Sequence, residues 1–205
     1  MKLLLTSSGL TSKRLGKEFV MLLKKSVQDS KILVIHTAQK PEHMIFVNEV
    51  GEEISKQGIL LSNISYVNIS GEIPNILLSK YDAVYVCGGN TYFILDRIRK
   101  TRLDNSLKRY VKSGGLYIGV SAGSIIAGQN IQIVGWGIEG DSNEISLKDL
   151  RGLGFTNIAV FPHYKHKLKR EVEEFKSLVD YPVESLKDGE AIIIKDKKVK
   201  RIRKN

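Results

Sequence analysis

The chain has 205 residues, 42% hydrophobic and 26% charged, which suits one α/β domain burying roughly 70% of its unfolded surface. No apolar run approaches the ~20 residues of a membrane span, so no membrane partner is expected. A single cysteine, Cys87, excludes an intrachain disulfide and fits a reducing cytoplasm. The net charge of +10 raises the question of nucleic acid. Its two clusters are Lys165, Lys167, Lys169 and Arg170, and a tail holding Lys197, Lys198, Lys200, Arg201 and Arg203. No nucleic-acid-reading motif accompanies them, and the tail alternates Val199 and Ile202 with cations as an exposed edge strand would. No nucleic-acid partner is therefore expected.

In chain order, Met1 to Thr6 reads as a first strand rather than a signal peptide. Ser12 to Gln28 places Leu15, Phe19, Leu22 and Leu23 at helical spacing, with Ser12 as N-cap. Lys31 to His36 is a buried-strand run. Pro41 opens a helix carrying Ile45, Val50 and Ile54 that stops near Gly58. Residues 59–69 hold an apolar stretch with broken alternation. Residues 83–87 (AVYVC) and 116–120 (LYIGV) are further strands. Such strand–helix alternation predicts a mostly parallel sheet flanked by helices in three layers, with ligands bound beyond the strands' carboxyl ends. The segment 129–157, rich in glycine and acidic residues, predicts a long functional loop or hairpin. Residues 158–161 (IAVF) form a strand, 167–179 a helix, and Glu190–Ile194 with Lys198–Ile202 a terminal hairpin. No linker or repeat divides residues 1–205.

The chemistry centres on Gly119-Val120-Ser121-Ala122-Gly123. Strand, sharp turn and helix around a G-x-S-x-G sequence predict a nucleophile elbow, with Ser121 in a strained backbone and glycines where side chains would collide. A serine hydroxyl needs a base to take its proton. Of His36, His43, His163 and His166, His163 follows a strand directly and is the expected base. An acid must orient it, and Glu139, Asp141, Glu144 and Asp149 all lie between serine and histidine. The Ala122 N–H and a donor from Gly88-Gly89 would hold an oxyanion. Cys87 ends an apolar strand and reads as core.

Three ordered motifs then carry a resemblance: Cys-Gly-Gly-Asn-Thr-Tyr at 87–92, Gly-Val-Ser-Ala-Gly at 119–123 and Phe-Pro-His-Tyr at 161–164. The chain resembles, over nearly its whole length, the dipeptidase E (aspartyl dipeptidase) and cyanophycinase family of serine peptidases. The resemblance implies a class I glutamine amidotransferase-like (flavodoxin-like) α/β fold with serine in place of cysteine. It implies hydrolysis of short peptides through an acyl-enzyme, without cofactor or metal, by a monomer or homodimer. Ser121 matches the nucleophile, His163 the base and Asp141 the acid. Gly89 and Ala122 match the oxyanion donors, and Asn90 and Arg170 are the expected substrate-binding residues. Arg170 would favour dipeptides with an acidic N-terminal residue. An esterase with the same triad and an inactive binding protein are the alternatives.

Overall fold

The structure, a computed structural model, describes residues 1–136 and 140–204. Its elements are β1 (Lys2–Thr6), α1 (Lys13–Leu22), β2 (Ile32–His36), α2 (Pro41–Ser55), β3 (Ile64–Asn68), β4 (Ala83–Val86), α3 (Thr91–Lys100) and α4 (Leu103–Lys112). They continue with β5 (Leu116–Val120), α5 (Ala122–Ile125), β6 (Ala159–Phe161), α6 (Lys169–Leu178), β7 (Val183–Ser185), β8 (Ala191–Lys195) and β9 (Lys198–Ile202). Seven strands form one sheet in the order β3-β2-β4-β5-β1-β8-β9, and β6 pairs with β7 separately. Strands β1 to β5 run parallel, while β8 is antiparallel to β1 and β9 to β8. Among the described residues no helix is long and apolar enough to cross a membrane.

Alternation along the strands decides the layers. Leu3, Leu5, Ile35, Val86 and Tyr117 pack on one face with residues of α3, α4, α5 and α6. Leu4, Val34, Tyr85 and Ile118 pack on the other with Leu15, Phe19 and Leu22 of α1 and Ile54 of α2. Both faces are covered, so the strands read as nearly continuous apolar runs. This is the three-layer α/β arrangement expected from the sequence.

Two boundaries shift. Helix α1 starts as expected, with Ser12 Oγ accepting the Leu15 N–H at 3.2 Å, but ends at Leu22. Beyond it, the Ser26 hydroxyl donates to Asp29 at 2.6 Å, a local turn that competes with helix. Helix α6 begins at Lys169, after one 3₁₀ turn at His166–Leu168. The terminal hairpin forms as predicted, with Asp196 and Lys197 at φ 49° and 68° making its turn. Within 129–157 the described residues hold only a 3₁₀ turn, Gln132–Gly135, and a lone bridge between Asn130 and Arg151.

Register brings the functional ends together. Thr6 pairs with both Val120 and Ala191, and Val86 with Gly119. The carboxyl ends of β1, β4 and β5 therefore share one edge, and the start of antiparallel β8 joins them. The turn from β5 into α5 fits under this edge only without side chains at two positions. A Cβ at Gly119 would meet Gly123 O at 2.4 Å, and one at Gly123 would meet Val86 O at 2.3 Å. The Tyr117 hydroxyl, fully buried, donates to Gly123 O at 2.7 Å and clamps the same turn.

The loop after β1 is anchored from α2, where the Glu53 carboxylate accepts the Leu10 N–H. Burial is the main influence on that carboxyl and lifts it from an ordinary 4.5 to about 7, against smaller opposing effects of the Leu10 hydrogen bond and Lys56. A raised value in the fold means that the folded chain holds the proton more tightly than the unfolded chain. The stability this contributes is complete below 4.5 and fades as pH rises through about 7.

Two predictions follow from these contacts. Gly119→Ala and Gly123→Ala should each lower stability by about 1–3 kcal/mol in chemical denaturation, and unchanged midpoints would contradict the close approach. Relative to Glu53→Gln, the wild type should lose stability between pH 4.5 and about 7. Parallel pH profiles for the two proteins would refute the buried carboxyl.

Candidate active site

Ser121 occupies the turn between β5 and α5 with φ 50° and ψ −113°, a conformation that costs a non-glycine residue about 1–3 kcal/mol. Backbone bonds hold it there. Its N–H donates to Thr6 O at 3.0 Å, and its carbonyl accepts from Ser124 N at 2.8 Å. The hydroxyl consequently stands clear of the sheet edge. His163, just beyond β6, also has a positive φ of 54°. Its Nε2 lies 2.9 Å from Ser121 Oγ, and its Nδ1 lies 2.7 Å from Asp188 Oδ1.

Ser7, at the end of β1, ties this arrangement to the sheet. Its hydroxyl accepts the His163 N–H at 2.8 Å and donates to Asp188 Oδ1 at 2.9 Å. Ser8 Oγ accepts the Gly189 N–H at 3.0 Å, fixing the turn that carries Asp188. Burial opposes the charge on Asp188, yet the hydrogen bonds from Ser7 and His163, with the charges of His163 and Lys165, outweigh it. The carboxyl is held below its ordinary value. An ionised Asp188 fixes the tautomer with hydrogen on Nδ1 and leaves Nε2 facing the hydroxyl.

The sequence expectation for the acid needs correction. Asp141 does not reach the imidazole: its Oδ2 accepts the Thr91 N–H at 2.7 Å, at the start of α3. Asp149 is bound by Arg151 through both oxygens and paired with Arg99. Glu144 is exposed on the cleft wall, and Glu139 lies outside the described residues. Asp188 and Ser7 lie outside the interval between Ser121 and His163, where the resemblance places the acid. The available signal was the final hairpin, whose antiparallel β8 starts beside the end of β1.

Gly89 adopts φ 135°, and the loop it belongs to lies against the nucleophile. A Cβ at neighbouring Gly88 would come within 3.8 Å of Ser121 Oγ. Among the described residues the Gly89 and Ala122 N–H groups have no acceptor within the chain. Asn90 is occupied structurally. Its Oδ1 caps α3 through the Phe93 N–H at 3.0 Å, and its Nδ2 donates to Ser142 O at 2.8 Å. Arg170 is exposed on the first turn of α6 and lines neither cavity that reaches Ser121. Cys87 is inert, its thiol pushed up to about 12 by burial and by the charge of Glu53.

A cleft of about 980 Å³ opens on Ser121 and His163, walled by Phe46, Val50, Phe93 and Ile145 and by His36 and His43. His36 is buried, its Nδ1 accepting the Ala38 N–H at 3.2 Å, and burial lowers its pKa. The arrangement can activate a hydroxyl, stabilise an imidazolium and present two backbone donors beside the attack point.

The chain is similar to known peptidases. The signature of peptidase family S51 matches residues 3–202. An uncharacterised peptidase of Listeria monocytogenes is 30% identical over 203 residues, 96% of each chain. Peptidase E of Streptomyces coelicolor is 29% identical over 129 residues, 58% of this chain and 51% of that protein. The crystal structure of a candidate peptidase E protein from L. monocytogenes superposes with a TM-score of 0.78 at 26% identity, covering 100% of this chain and 98% of that one. With a match that runs through every strand of the main sheet and both ends of the Ser121–His163 pair, the chain belongs to peptidase family S51.

Proposed function

We propose that the chain is a serine exopeptidase that hydrolyses short peptides through an acyl-enzyme on Ser121. The observation that carries this reading is the unbroken hydrogen-bonded series from Ser121 Oγ to His163 at 2.9 Å and from His163 to Asp188 at 2.7 Å. In the forward step His163 Nε2 takes the serine proton as Oγ bonds to the scissile carbonyl carbon. The resulting oxyanion faces the N–H groups of Gly89 and Ala122. The imidazolium, stabilised by Asp188, then gives its proton to the leaving amine as the C–N bond breaks. Water, deprotonated by the same imidazole, cleaves the ester and frees Ser121.

The relatives' designation as peptidase E supports hydrolysis of peptide bonds. Arg170, the residue expected to hold an acidic N-terminal side chain, is exposed and lines neither cavity, so it gives no support to a preference for an acidic N-terminal residue.

Ser121→Ala should retain its circular dichroism spectrum and lose on the order of 10⁴-fold or more in kcat, measured on a dipeptide library. Retained turnover would remove Ser121 from the mechanism. Asp188→Asn should cost on the order of 10⁴-fold in kcat, whereas Asp141→Asn should act mainly on KM and keep kcat within about tenfold of wild type. The reverse ranking would return the orienting role to Asp141.

A further inference from the structure

Two cavities meet at Ser121 and His163, and both are lined by carboxylates. The larger carries Glu49, Glu53 and Glu144; the smaller, about 100 Å³, carries Asp141 and Glu171. Among the described residues neither is lined by a lysine or arginine, although the chain holds 32 such residues against 22 acidic ones. The described lining of the smaller cavity, next to Ser121, is therefore acidic rather than basic.

The smaller cavity has a second, independent feature. Thr91 lines it and is fully buried, yet its Oγ1 has no hydrogen-bond partner. Glu171 lines it too, and its Oε2 is buried and equally unpartnered. Buried polar atoms are rarely left so, and a carboxylate can only accept. Whatever satisfies Glu171 must bring N–H or O–H donors. An anionic group there would meet two carboxylates in a confined space and lose its hydration without compensation. A cation would gain charge-assisted hydrogen bonds in a cavity also lined by Trp136 and Phe161. The volume, a few water molecules' worth, suits an ammonium or guanidinium head rather than a whole residue.

We propose that the smaller cavity is a cation subsite, which takes a positively charged group of the substrate beside the scissile bond through Glu171, Asp141 and Thr91. The group is either the protonated α-amine or the basic head of a lysine or arginine side chain. The proposal rests on the peptidase reading only in that it treats the ligand as a substrate; the recognition itself does not need the Ser121 hydroxyl.

The test uses the full chain and the dipeptides Lys-Leu, Arg-Leu, Ala-Leu and Asp-Leu, with Nα-acetylated Ala-Leu and Lys-Leu. Binding is measured calorimetrically on Ser121→Ala, and hydrolysis on the wild type. Either Nα-acetylation of Ala-Leu should weaken binding at least about tenfold, or Lys-Leu and Arg-Leu should bind at least about tenfold tighter than Asp-Leu, and adding Glu171→Gln should shrink whichever gap is found to under about threefold. Loss of binding on acetylation would assign the α-amine; survival of tight binding in acetylated Lys-Leu would assign the side-chain head. Binding indifferent to acetylation with Asp-Leu held as tightly as Lys-Leu or tighter, or no measurable binding of any of these peptides, would overturn the subsite. The peptide comparison needs no Glu171 variant, so it stands even where that variant fails to fold. Basic discrimination without hydrolysis would sink the peptidase reading and leave the subsite standing. Hydrolysis with binding indifferent both to acetylation and to a basic side chain would do the opposite.

Discussion

The active-site geometry depends on one crossing of hydrogen bonds at Ser7. That hydroxyl accepts from the His163 backbone and donates to the carboxylate that holds the His163 ring. Backbone and side chain of the histidine are thus referred to the same atom at the end of β1. Because β1 pairs with β5 on one side and β8 on the other, the nucleophile and the acid are indexed to that strand as well. A slip of one residue in either pairing would turn the relevant side chains to the opposite face. The arrangement is therefore a consequence of sheet register before it is a property of any loop.

The strain at Ser121 is held by the same framework. A positive φ on a serine survives only where its surroundings leave no easier conformation. Here the Thr6 carbonyl, the Ser124 N–H and the Tyr117 hydroxyl fix the turn, while Gly119 and Gly123 let backbone approach backbone. The same turn leaves the Ala122 N–H without an acceptor among the described residues. Fold stability and site geometry are coupled through two missing side chains.

What was legible in the sequence had a local cause. The elbow declares itself because a sharp strand-to-helix turn demands particular residue types at fixed offsets, and His163 because a strand ends immediately before it. The parallel sheet was legible for a similar reason: strands buried on both faces are apolar throughout. The acid was not legible, because Asp188 sits in a Lys-Asp-Gly turn whose composition explains itself as a hairpin approach. Only the antiparallel pairing of β8 with β1 makes that turn part of the site. Asn90 misled for another reason. A residue next to an oxyanion loop is also the first residue before a helix, and here capping α3 takes its side chain. Arg170 is suggested by charge in the sequence, whereas the described linings of the two cavities hold no lysine or arginine.

Covalent capture of the nucleophile tests the central claim most directly. The full chain would be treated with a serine-reactive fluorophosphonate and digested, and the labelled peptide identified by mass spectrometry. The account predicts a single label on Ser121, with a labelling rate that collapses in His163→Ala and falls strongly in Asp188→Asn. Labelling at another residue, or a rate at Ser121 indifferent to His163 and Asp188, would contradict it.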